Sequence, residues 1–512
     1  MSRLFTGRRK ASEDFRGVSS LLPSSSHPRR WSRFYILVVF LVAVLIISAN
    51  HYDYFSASTP SEFSQTKSPP LPLKHDDKSK VGPYHPTKVL RGPPTEKFRG
   101  NLLPDVKYVT GWIGGGHTND FMTYINYIYI GILTHRIPII GPFAPTHVGF
   151  DEDLIPFGEI YDVERLASEI GHPVVEWRDV KKPYKEGEPF EALGGWSVWA
   201  RWDSIRDHMP RGNRMTTPLG LDVSYTNTPE SFKLKKDEPR DPHVSFNEVA
   251  RLAYPRYREE LIRTEHRWRS EGALAHDSPP DEQVLTIDFS YFMGMIRNWE
   301  WDKEYFEPWR IASHAHFTPK MTRIANEYLM RHFEVPTVED IPKFIGVHVR
   351  HGDFGDKCEG RPKAECYAPL SVIATRIKEC QDELSERPEF QNADGSPIIL
   401  PVLVTSDERD PAWWQEVRKE GWGWIDHGPD GEDTVAKLGK WYPVLIDILH
   451  QSMGHGFVGT DQSTMSVIAA RRVEDWQGGV SRLFLFGHPH ADDHLPQTKN
   501  VRERQPVNNR FY

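Results

Sequence analysis

Short apolar runs of strand length alternate with longer apolar segments of helical length along most of the chain. In the C-terminal half this pattern predicts strands at residues 344–349, 398–405 and 456–459, and helices at residues 370–384, 411–420, 435–453 and 463–472. In the N-terminal half it predicts strands at residues 106–113, 137–140 and 284–289, and helices at residues 120–135 and 320–333. Alternating strands and helices are typical of parallel sheets with right-handed crossovers. We therefore predict an α/β fold with two facing Rossmann-like domains and a cleft between them at the carboxyl ends of the strands.

A proline-marked segment at residues 336–342 separates the two halves. We place one domain at residues 101–340 and the other at residues 341–490, followed by a polar tail at residues 491–512. The stretch 178–240 is dense in Pro, Gly, Trp and charged residues. We expect irregular insertions around an active face there rather than a repeat.

The N-terminal region carries an apolar segment behind a basic flank. Residues 34–49 contain no charge and follow three arginines, and neighbouring aromatic residues extend the segment to a predicted transmembrane helix at residues 34–52. A cleaved signal peptide is the alternative, but the apolar run is long for one and begins far from the N-terminus. The positive charge before the segment predicts a cytosolic tail at residues 1–33 and a lumenal or extracellular remainder.

Residues 53–100 are rich in Ser, Pro and Lys and show no apolar periodicity. Such a segment buries too little surface to offset the entropy of ordering it, so we predict a flexible stem. A cytosolic tail, one span, a stem and a large lumenal part form the layout of Golgi enzymes that modify glycans and proteins. By this analogy of layout, we expect a single-pass type II protein of the Golgi or endoplasmic reticulum membrane.

Composition narrows the set of partners. The chain has 512 residues and a formal net charge of -8. It lacks the basic field that marks nucleic-acid-binding proteins, so we expect no nucleic-acid partner.

In an oxidising lumen the three cysteines of the chain predict a Cys358–Cys366 disulfide, with Cys380 free and buried on its helix. A zinc site is the alternative, but neither the spacing nor the nearby histidines match one.

An arginine stands at the end of the predicted strand 344–349, in the sequence FIGVHVRHGDFGDK. Because strand residues alternate between faces, His348 and Arg350 project to the same side. An arginine in a protein interior is costly unless a negative charge meets it. This segment alone allows two partners for the charge of Arg350. One is Asp353, which would close a turn at Gly352, and the other is an anionic ligand.

A second candidate is GFVGTDQSTMSVIAARR, residues 456–472. Ser463 or Thr464 stands where the N-cap of the predicted helix belongs, and ordinary capping is one explanation. The free N–H groups and the dipole at a helix start also form a phosphate site, to which hydroxyl groups add donors. An arginine at one strand end and this helix start at another would converge on a diphosphate.

Four segments together resemble the motifs of the GDP-fucose fucosyltransferase superfamily, which includes the protein O-fucosyltransferases. GVHVRHGDF resembles its His-x-Arg motif, and VLVTSDE and GFVGTDQSTMSVIAARR resemble its second and third motifs. GGGHTND, residues 114–120, resembles its N-terminal glycine-rich motif ending in Asn, here Asn119. The four segments follow the family's order and extend over residues 114–472.

This resemblance implies a GT-B-type glycosyltransferase that takes fucose from GDP-fucose to a protein Ser/Thr hydroxyl or to a glycan. It implies no metal or other cofactor, because a guanidinium and fixed N–H donors can stabilise the departing diphosphate. The nucleotide sugar would bind to the C-terminal domain and the acceptor to the N-terminal one. A transferase of another GDP-sugar and a non-catalytic lumenal protein that keeps the cleft for a glycan or protein are the alternatives.

The resemblance also implies roles for matching positions. Arg350 would hold the β-phosphate and stabilise the leaving GDP. The expected substrate-binding residues are Gly115, Gly116, Asn119 near the sugar, His348 beside the nucleotide, Asp353, Asp407 or Asp461 on guanine or ribose, Ser463 and Thr464 on the phosphates, and Met465. Met465 stands where the family usually has Phe.

The catalytic base departs from the family pattern. Some protein O-fucosyltransferases carry a glutamate base in the glycine-rich motif, where this chain has Gly116. His117 and Asp120 are the stand-ins that the sequence offers.

Three further segments have a simpler explanation. The acidic triplet at residues 151–153 matches the Asp-x-Asp pattern of manganese-dependent transferases, but we favour a solvated turn. The His/Asp-rich residues 488–494 are expected to form a surface loop rather than a metal site. Four tryptophans at positions 413, 414, 422 and 424 are expected to pack in the core or at an interface rather than to stack on sugars.

Overall fold

A computed structural model describes residues 82–149, 151–199, 209–238, 241–488, 491–492 and 496–503. These residues belong to one compact unit. The predicted cytosolic tail, the predicted transmembrane helix at residues 34–52 and most of the predicted stem lie outside the described residues. Within the described ranges, no helix combines the length and the apolar character that a membrane crossing requires.

The N-terminal half is built on a seven-stranded sheet with the order β3-β2-β1-β8-β4-β5-β7. Its strands are β1 Tyr108–Gly111, β2 Ile137–Ile140, β3 Val175–Glu176, β4 Glu191–Ser197, β5 Leu221–Asn227, β7 Arg267–Trp268 and β8 Val284–Ile287. All neighbours are parallel except β7, which runs antiparallel to β5. A separate parallel pair is formed by β6 Val244–Ser245 and β9 Met293–Gly294.

The C-terminal half is built on a five-stranded, fully parallel sheet with the order β12-β11-β10-β13-β14. Its strands are β10 Ile345–Val349, β11 Val402–Ser406, β12 Gly423–Trp424, β13 Gly456–Thr460 and β14 Val480–Phe484. The chain builds outward from β10 to one edge, then returns to β13 and builds to the other edge. The crevice between the carboxyl ends of β10 and β13 is therefore the topological switch point, where ligands bind in doubly wound sheets.

Helices cover both sheets. In the N-terminal half they are α1 Phe98–Asn101, α2 His117–Thr134, α3 Phe157–Ile160, α4 Val163–Ile170, α5 Trp177–Val180, α6 Phe246–Ala250, α7 Pro255–Thr264, α8 Glu307–Ala312 and α9 Pro319–His332. In the C-terminal half they are α10 Lys363–Cys366, α11 Leu370–Ser385, α12 Pro411–Lys419, α13 Thr434–Leu438, α14 Tyr442–Met453 and α15 Thr464–Trp476. A 3-10 helix, Gly352–Cys358, follows β10.

One apolar core joins the two sheets through helix α15. Buried residues of α15, among them Val467, Ile468 and Val473, belong to the same cluster as the strands of the first sheet and helix α2. The central strand β10 is buried along its whole length, as expected for a parallel strand covered on both faces. This packing brings the starts of α2 and α15 toward each other.

The structure confirms most of the predicted strands and helices and corrects others. The stretch 178–240 is not only irregular insertions, because it contains the long strands β4 and β5. Its two consecutive glycines favour a loop in the sequence, yet Gly194 is required within β4: a Cβ there would lie 1.8 Å from the carbonyl oxygen of Pro279. The predicted helix 435–453 is broken at Gly439, which has a φ of 106°.

The described parts of the predicted stem and of the predicted C-terminal tail pack on the fold. Within the predicted stem, Leu90 and Phe98 are buried in the core of the first sheet. Within the predicted C-terminal tail, Val501 is buried and the side chain of Asn500 accepts a hydrogen bond from the peptide N–H of Ser481. Single buried anchors of this kind leave no periodic pattern in the sequence.

The predicted cysteine chemistry is confirmed. Cys358 and Cys366 form a disulfide across a separation of 8 residues, and Cys380 is free and buried on α11. The disulfide ties the end of the 3-10 helix to α10. It therefore anchors the chain segment that follows β10.

Candidate functional site

A cleft of about 330 Å³ lies where the carboxyl ends of strands from both sheets meet. Its volume falls within the range of small-molecule pockets. The first sheet's side contributes Gly116, His117, Thr118, Asn119, Ala144, His147, Val148 and Tyr291. The second sheet's side contributes His348, Arg350, Asp353, Phe354, Lys357, Trp441, Val444, Ile448, Gln462, Ser463, Thr464 and Met465.

The charge in this lining is divided between the two sides. Among the lining residues that the structure describes, every Lys, Arg, Asp or Glu comes from the segment 350–357 on the second sheet's side. The described lining residues of the first sheet's side have uncharged polar, histidine and apolar side chains. An extended ligand with one anionic end and one neutral end matches this division.

Arg350 follows the last residue of β10 and lines the cleft with a side chain that is 24% exposed. Its peptide N–H donates to the hydroxyl of Thr460 at 2.8 Å, which fixes the backbone at the switch point. Nη2 lies 2.7 Å from Oδ1 of Asp353, and Nη1 lies 2.6 Å from Oδ2 of Asp407. The structure therefore shows the Asp353 pair that the sequence allowed and adds Asp407 as a second partner, while the side chain of Arg350 also lines the cleft.

Gly352 makes this pairing possible. Its φ is 23°, and a Cβ there would lie 2.3 Å from Oδ2 of Asp407. Any other residue would push the carboxylate away from Arg350. Asp407 also accepts a hydrogen bond of 2.8 Å from the peptide N–H of His351, so it is held in place from two directions.

His348 lies on β10 beneath Arg350 and is buried. Its Nδ1 lies 2.8 Å from the hydroxyl of Ser466 on α15. Burial, with a smaller contribution from the charge of Arg350, lowers the pKa of His348 to about 3. The imidazole is therefore neutral at physiological pH and connects β10 to the helix that starts across the crevice.

Helix α15 begins at the cleft directly after β13. Ser463 is its N-cap, and the hydroxyl of Ser463 accepts a hydrogen bond from the peptide N–H of Ser466. The hydroxyl of Thr464 donates to Oδ1 of Asn119 at 2.7 Å. The peptide N–H groups at the start of the helix before that of Ser466 have no acceptor within the helix, so they are suited to an anion in the cleft.

Asp120 does not line the cleft. Its side chain is fully buried, and Oδ1 accepts hydrogen bonds from the peptide N–H groups of Gly114 at 3.2 Å and Gly115 at 2.9 Å. Burial raises the pKa of Asp120 to about 8. This placement speaks against Asp120 as the base and makes it the group that shapes the glycine-rich turn.

His117 lines the cleft at the first position of α2, with 9% of its surface exposed. Its ring packs on Phe143 with 4.4 Å between centroids, and neither ring nitrogen has a hydrogen-bond partner among the described residues. Burial and the nearby guanidinium of Arg472 lower the pKa of His117 to about 3. A group that gives up its proton this readily is a weak base, and burial shields both of its ring nitrogens.

The remaining predicted residues divide into two sets. Gly116, Asn119, Asp353 and Met465 line the cleft together with Arg350, His348, Ser463 and Thr464. Gly115, Asp407 and Asp461 do not line it, and the peptide N–H of Asp461 donates to the carbonyl of Phe484 on the neighbouring strand.

Several residues that line the cleft were not predicted from the sequence. Lys357 lies at the end of the 3-10 helix, with Nζ 4.0 Å from the ring centroid of Phe354. His147 and Tyr291 lie in the loops after β2 and β8, and Trp441 precedes α14. A search for polar and aromatic residues just after each predicted strand would have found His147 and Tyr291, because loops at the carboxyl ends of parallel strands carry the ligand site.

None of the described residues of the three other segments lines the cleft. Asp151 and Glu152 pair with Lys440 at 2.9 Å and 2.8 Å. The described residues contain no group of three or more His, Cys, Asp or Glu side chains placed to hold a metal ion, and residues 488–494 are only partly among them. As predicted, the tryptophans at positions 413, 414, 422 and 424 pack against the core of the second sheet.

Comparison with known proteins gives little beyond general likeness. No family model matches the sequence, and no curated protein matches it at a significant level. Solved structures similar to this chain include fucosyltransferases. POFUT1 in complex with GDP-fucose has 14% identity and a TM-score of 0.42, and the match covers 76% of this chain and 99% of that one.

NodZ alpha-1,6-fucosyltransferase soaked with GDP-fucose has 13% identity and a TM-score of 0.34, with coverage of 72% and 92%. Fucosyltransferase NodZ from Bradyrhizobium has 14% identity and a TM-score of 0.35, with coverage of 71% and 91%. Identities and TM-scores this low say nothing about what this chain binds. That question depends on the residues of the cleft.

Proposed function

We propose that this chain is a glycosyltransferase that transfers fucose from GDP-fucose to a hydroxyl group of a protein or a glycan. The observation that carries the proposal is the convergence of two anion-binding elements on one cleft. The guanidinium of Arg350 follows β10, and the Ser463-capped start of α15 follows β13, on either side of the switch point. A guanidinium facing a helix N-terminus is suited to a diphosphate.

Arg350 and the start of α15 would contribute most to the proposed transfer at the step in which GDP departs. Negative charge grows on the β-phosphate as its bond to the sugar breaks. A planar guanidinium and preorganised N–H donors stabilise that charge without a divalent ion. The proposed reaction is therefore independent of added metal, and Lys357 on the same side of the cleft supplies a second positive charge.

GDP-fucose is proposed as the donor because the motifs around Asn119, Arg350, Asp407 and Ser463 resemble those of the GDP-fucose fucosyltransferases. The division of charge supports a ligand of this shape. Its diphosphate would lie against residues 350–357, and its neutral sugar against the first sheet's side, whose described lining residues include no Lys, Arg, Asp or Glu. The proposal includes a GT-B arrangement, with the acceptor entering from that side.

The proposed setting is the lumen of the Golgi or the endoplasmic reticulum. The apolar segment at residues 34–52 behind a basic flank supports a single-pass type II anchor. The disulfide between Cys358 and Cys366 is in keeping with an oxidising compartment.

One observation favours a second candidate, a non-catalytic lumenal protein that binds a glycan or a protein partner. Arg350 is already held by Asp353 and Asp407, so its charge is balanced before any ligand arrives. A binding protein that has lost the transfer reaction would keep such a cleft intact. The two candidates differ in whether the chain binds and cleaves a GDP-sugar.

The test is a comparison of donors with the full-length protein. GDP binding is measured by calorimetry, and cleavage is measured for GDP-fucose, GDP-mannose and UDP-sugars, each with and without EDTA. The transferase is expected to bind GDP and to cleave GDP-fucose fastest, with rates that EDTA leaves unchanged. Absence of both binding and cleavage would favour the second candidate, and faster cleavage of another GDP-sugar would change the donor.

The role of Arg350 is tested in the same assay. Arg350→Ala and Arg350→Lys are expected to lower cleavage by about 10²- to 10³-fold, the usual effect of losing one transition-state donor. Lysine does not substitute, because a single ammonium cannot form the bidentate contact. Arg251→Ala is the control, since Arg251 forms an exposed pair with Glu248 on α6 and lies outside the cleft lining. Wild-type turnover in Arg350→Ala would refute the assignment.

A further inference from the structure

The proposed transfer needs a group that accepts a proton. The oxygen of the acceptor hydroxyl forms a bond to C1 of the sugar while the bond from C1 to the β-phosphate oxygen breaks. The electron pair of that bond leaves with GDP, and the hydroxyl proton passes to a base on the protein. That base must line the cleft and must have its basic atom free to meet the acceptor.

Most proton acceptors of the cleft lining are already engaged or shielded. His348 is buried and bonded to Ser466, and Asp353 is bound to the guanidinium of Arg350. His117 is buried against Phe143 and faces the positive charge of Arg472, which disfavours protonation. None of the three combines an accessible basic atom with the freedom to take up a proton.

His147 differs from these groups in both respects. It is exposed, and no described residue forms a hydrogen bond with its ring. It lies in the loop after β2, at the carboxyl edge of the first sheet. The loop is shaped by its own backbone, since Thr146 N–H donates to Ala144 and Gly149 N–H donates to Pro145.

The ring of His147 occupies the space in front of Gly116. A Cβ on Gly116 would lie 2.5 Å from Cδ2 and 3.0 Å from Nε2 of His147, and the three atoms nearest to that Cβ all belong to this ring. Gly116 is the N-cap of α2 and has a φ of −77°, which any residue can adopt. The imidazole therefore fills the volume that a side chain at position 116 would take at the start of this helix.

We propose that His147 is the catalytic base of this chain and takes the proton of the acceptor hydroxyl. This inference rests on the proposed function and deepens it. The base lies on the first sheet's side of the cleft, whose described lining residues carry no Lys, Arg, Asp or Glu, so a neutral hydroxyl compound would bind there away from the charges of residues 350–357. Proton transfer to His147 and charge stabilisation by Arg350 then belong to opposite sides of the same cleft.

The test uses the full-length protein and cleavage of GDP-fucose with water as the acceptor. His147→Ala is expected to lower the rate at saturating GDP-fucose by about 10²- to 10⁴-fold. The affinity for GDP is expected to stay within about twofold of the wild-type value, because the proposed base meets the acceptor hydroxyl and lies on the side of the cleft opposite Arg350. His135→Asn is the control, since His135 caps the far end of the same helix, roughly 27 Å away, and its rate is expected to match the wild type.

Two rescue experiments distinguish a catalytic role of His147 from a purely structural one. Added imidazole is expected to restore part of the activity of His147→Ala and none of that of Arg350→Ala. Gly116→Glu alone is expected to be harmful, because its Cβ meets the His147 ring. In His147→Ala the same change has room, and the new carboxylate is expected to raise the rate at least tenfold.

The outcomes separate this inference from the proposed function. A wild-type protein that binds GDP and cleaves GDP-fucose, with a His147→Ala variant that cleaves as fast, overturns the inference alone. Equal loss of GDP affinity and rate in His147→Ala also overturns it, and so does a failure of both imidazole and Gly116→Glu to rescue. A wild-type protein that neither binds GDP nor cleaves GDP-fucose overturns the proposed function and the base with it.

Discussion

The hydroxyl of Thr464 donates a hydrogen bond of 2.7 Å to Oδ1 of Asn119, and this contact joins the first turns of two helices that belong to different sheets. Helix α2 starts at the cleft from the first sheet, and helix α15 starts there from the second. Both present the positive ends of their dipoles to the same space. The contact therefore fixes the separation of the two walls at the point where an anionic ligand would bind.

Loss of this contact is expected to be measurable as coupling between the two residues. Thr464→Val keeps the shape of the side chain and removes the donor, so we expect a loss of about 1 kcal/mol in the free energy of unfolding. In a double-mutant cycle with Asn119→Ala, measured by chemical denaturation, the coupling is expected to be about 0.5–1.5 kcal/mol.

The control for this cycle is Thr375→Val. The hydroxyl of Thr375 donates only to the carbonyl of Ser371 within helix α11, on the surface of the protein. It is expected to show no coupling to Asn119→Ala. Additive effects of Thr464→Val and Asn119→Ala would show that the two helix starts are held apart by other contacts.

Asp353 is expected to compete with the diphosphate for Arg350. Its carboxylate is 55% exposed and sits on a short 3-10 helix, so it can leave the guanidinium more easily than Asp407, which His351 also holds. Exposed ion pairs contribute about 0.2–1 kcal/mol. Asp353→Asn is therefore expected to tighten GDP binding by about two- to fivefold in calorimetry.

A neighbouring carboxylate separates competition from the general effect of charge. Asp356→Asn removes a negative charge from the same 3-10 helix but not from the cleft lining. It is expected to change GDP affinity less than Asp353→Asn does. Weaker GDP binding by Asp353→Asn would mean that this carboxylate orients Arg350 for the ligand instead of competing with it.

Asp120 is expected to make the fold less stable as the pH rises. Burial raises its pKa from 3.8 to about 8. A group whose pKa is higher in the folded state stabilises the fold fully below its unfolded pKa, and this contribution is lost as the pH rises toward the folded value. Between pH 5 and 8 the wild-type free energy of unfolding should fall by about 1 kcal/mol per pH unit relative to Asp120→Asn.

The measurement is chemical denaturation of both proteins at several pH values between 5 and 8. Asparagine matches the protonated carboxyl in shape, and its oxygen can still accept from the N–H groups of Gly114 and Gly115. Asp356→Asn is expected to keep the wild-type slope. Parallel curves for wild type and Asp120→Asn would show that the Asp120 carboxyl is ionised in the folded protein at neutral pH.

The site residues that could be predicted from the sequence are those whose positions follow from a pattern of a few neighbouring residues. Arg350 at the end of a buried strand and Ser463 at a helix start were found because alternation and capping are visible over a few residues. The structure brings both to one cleft, as expected for an arginine at one strand end and a helix start that follows another. The strands around them were predicted for the same reason, since buried parallel strands form continuous apolar runs.

What the sequence could not give depends on contacts between distant segments. The pairing of Asp407 with Arg350 needs both β11 beside β10 and the absence of a side chain at Gly352. His147 meets Gly116 only because the loops after β1 and β2 leave the same edge of the sheet. Strand β4 was not predicted because Gly194 interrupts the apolar pattern of the strand. Glycine is needed there because the backbone of Pro279, 85 residues later in the chain, leaves no room for a side chain.

Reduction of the disulfide is expected to destabilise the cleft from the second sheet's side. The bond between Cys358 and Cys366 closes a loop of 8 residues, for which the loss of chain entropy predicts a contribution of about 2–3 kcal/mol. The residue before it is Lys357, which lines the cleft. A reducing agent should therefore lower both the thermal midpoint and the affinity for GDP.

Two variants identify the disulfide as the cause. The double variant Cys358→Ser, Cys366→Ser should start from the lower midpoint and show no further response to the reducing agent. Cys380→Ser should respond as the wild type does, because Cys380 is a buried free thiol that forms no bridge. A wild-type protein that keeps its midpoint and its GDP affinity after reduction would show that the packing of Phe354 and Cys358 alone holds this segment in place, without help from the covalent bond.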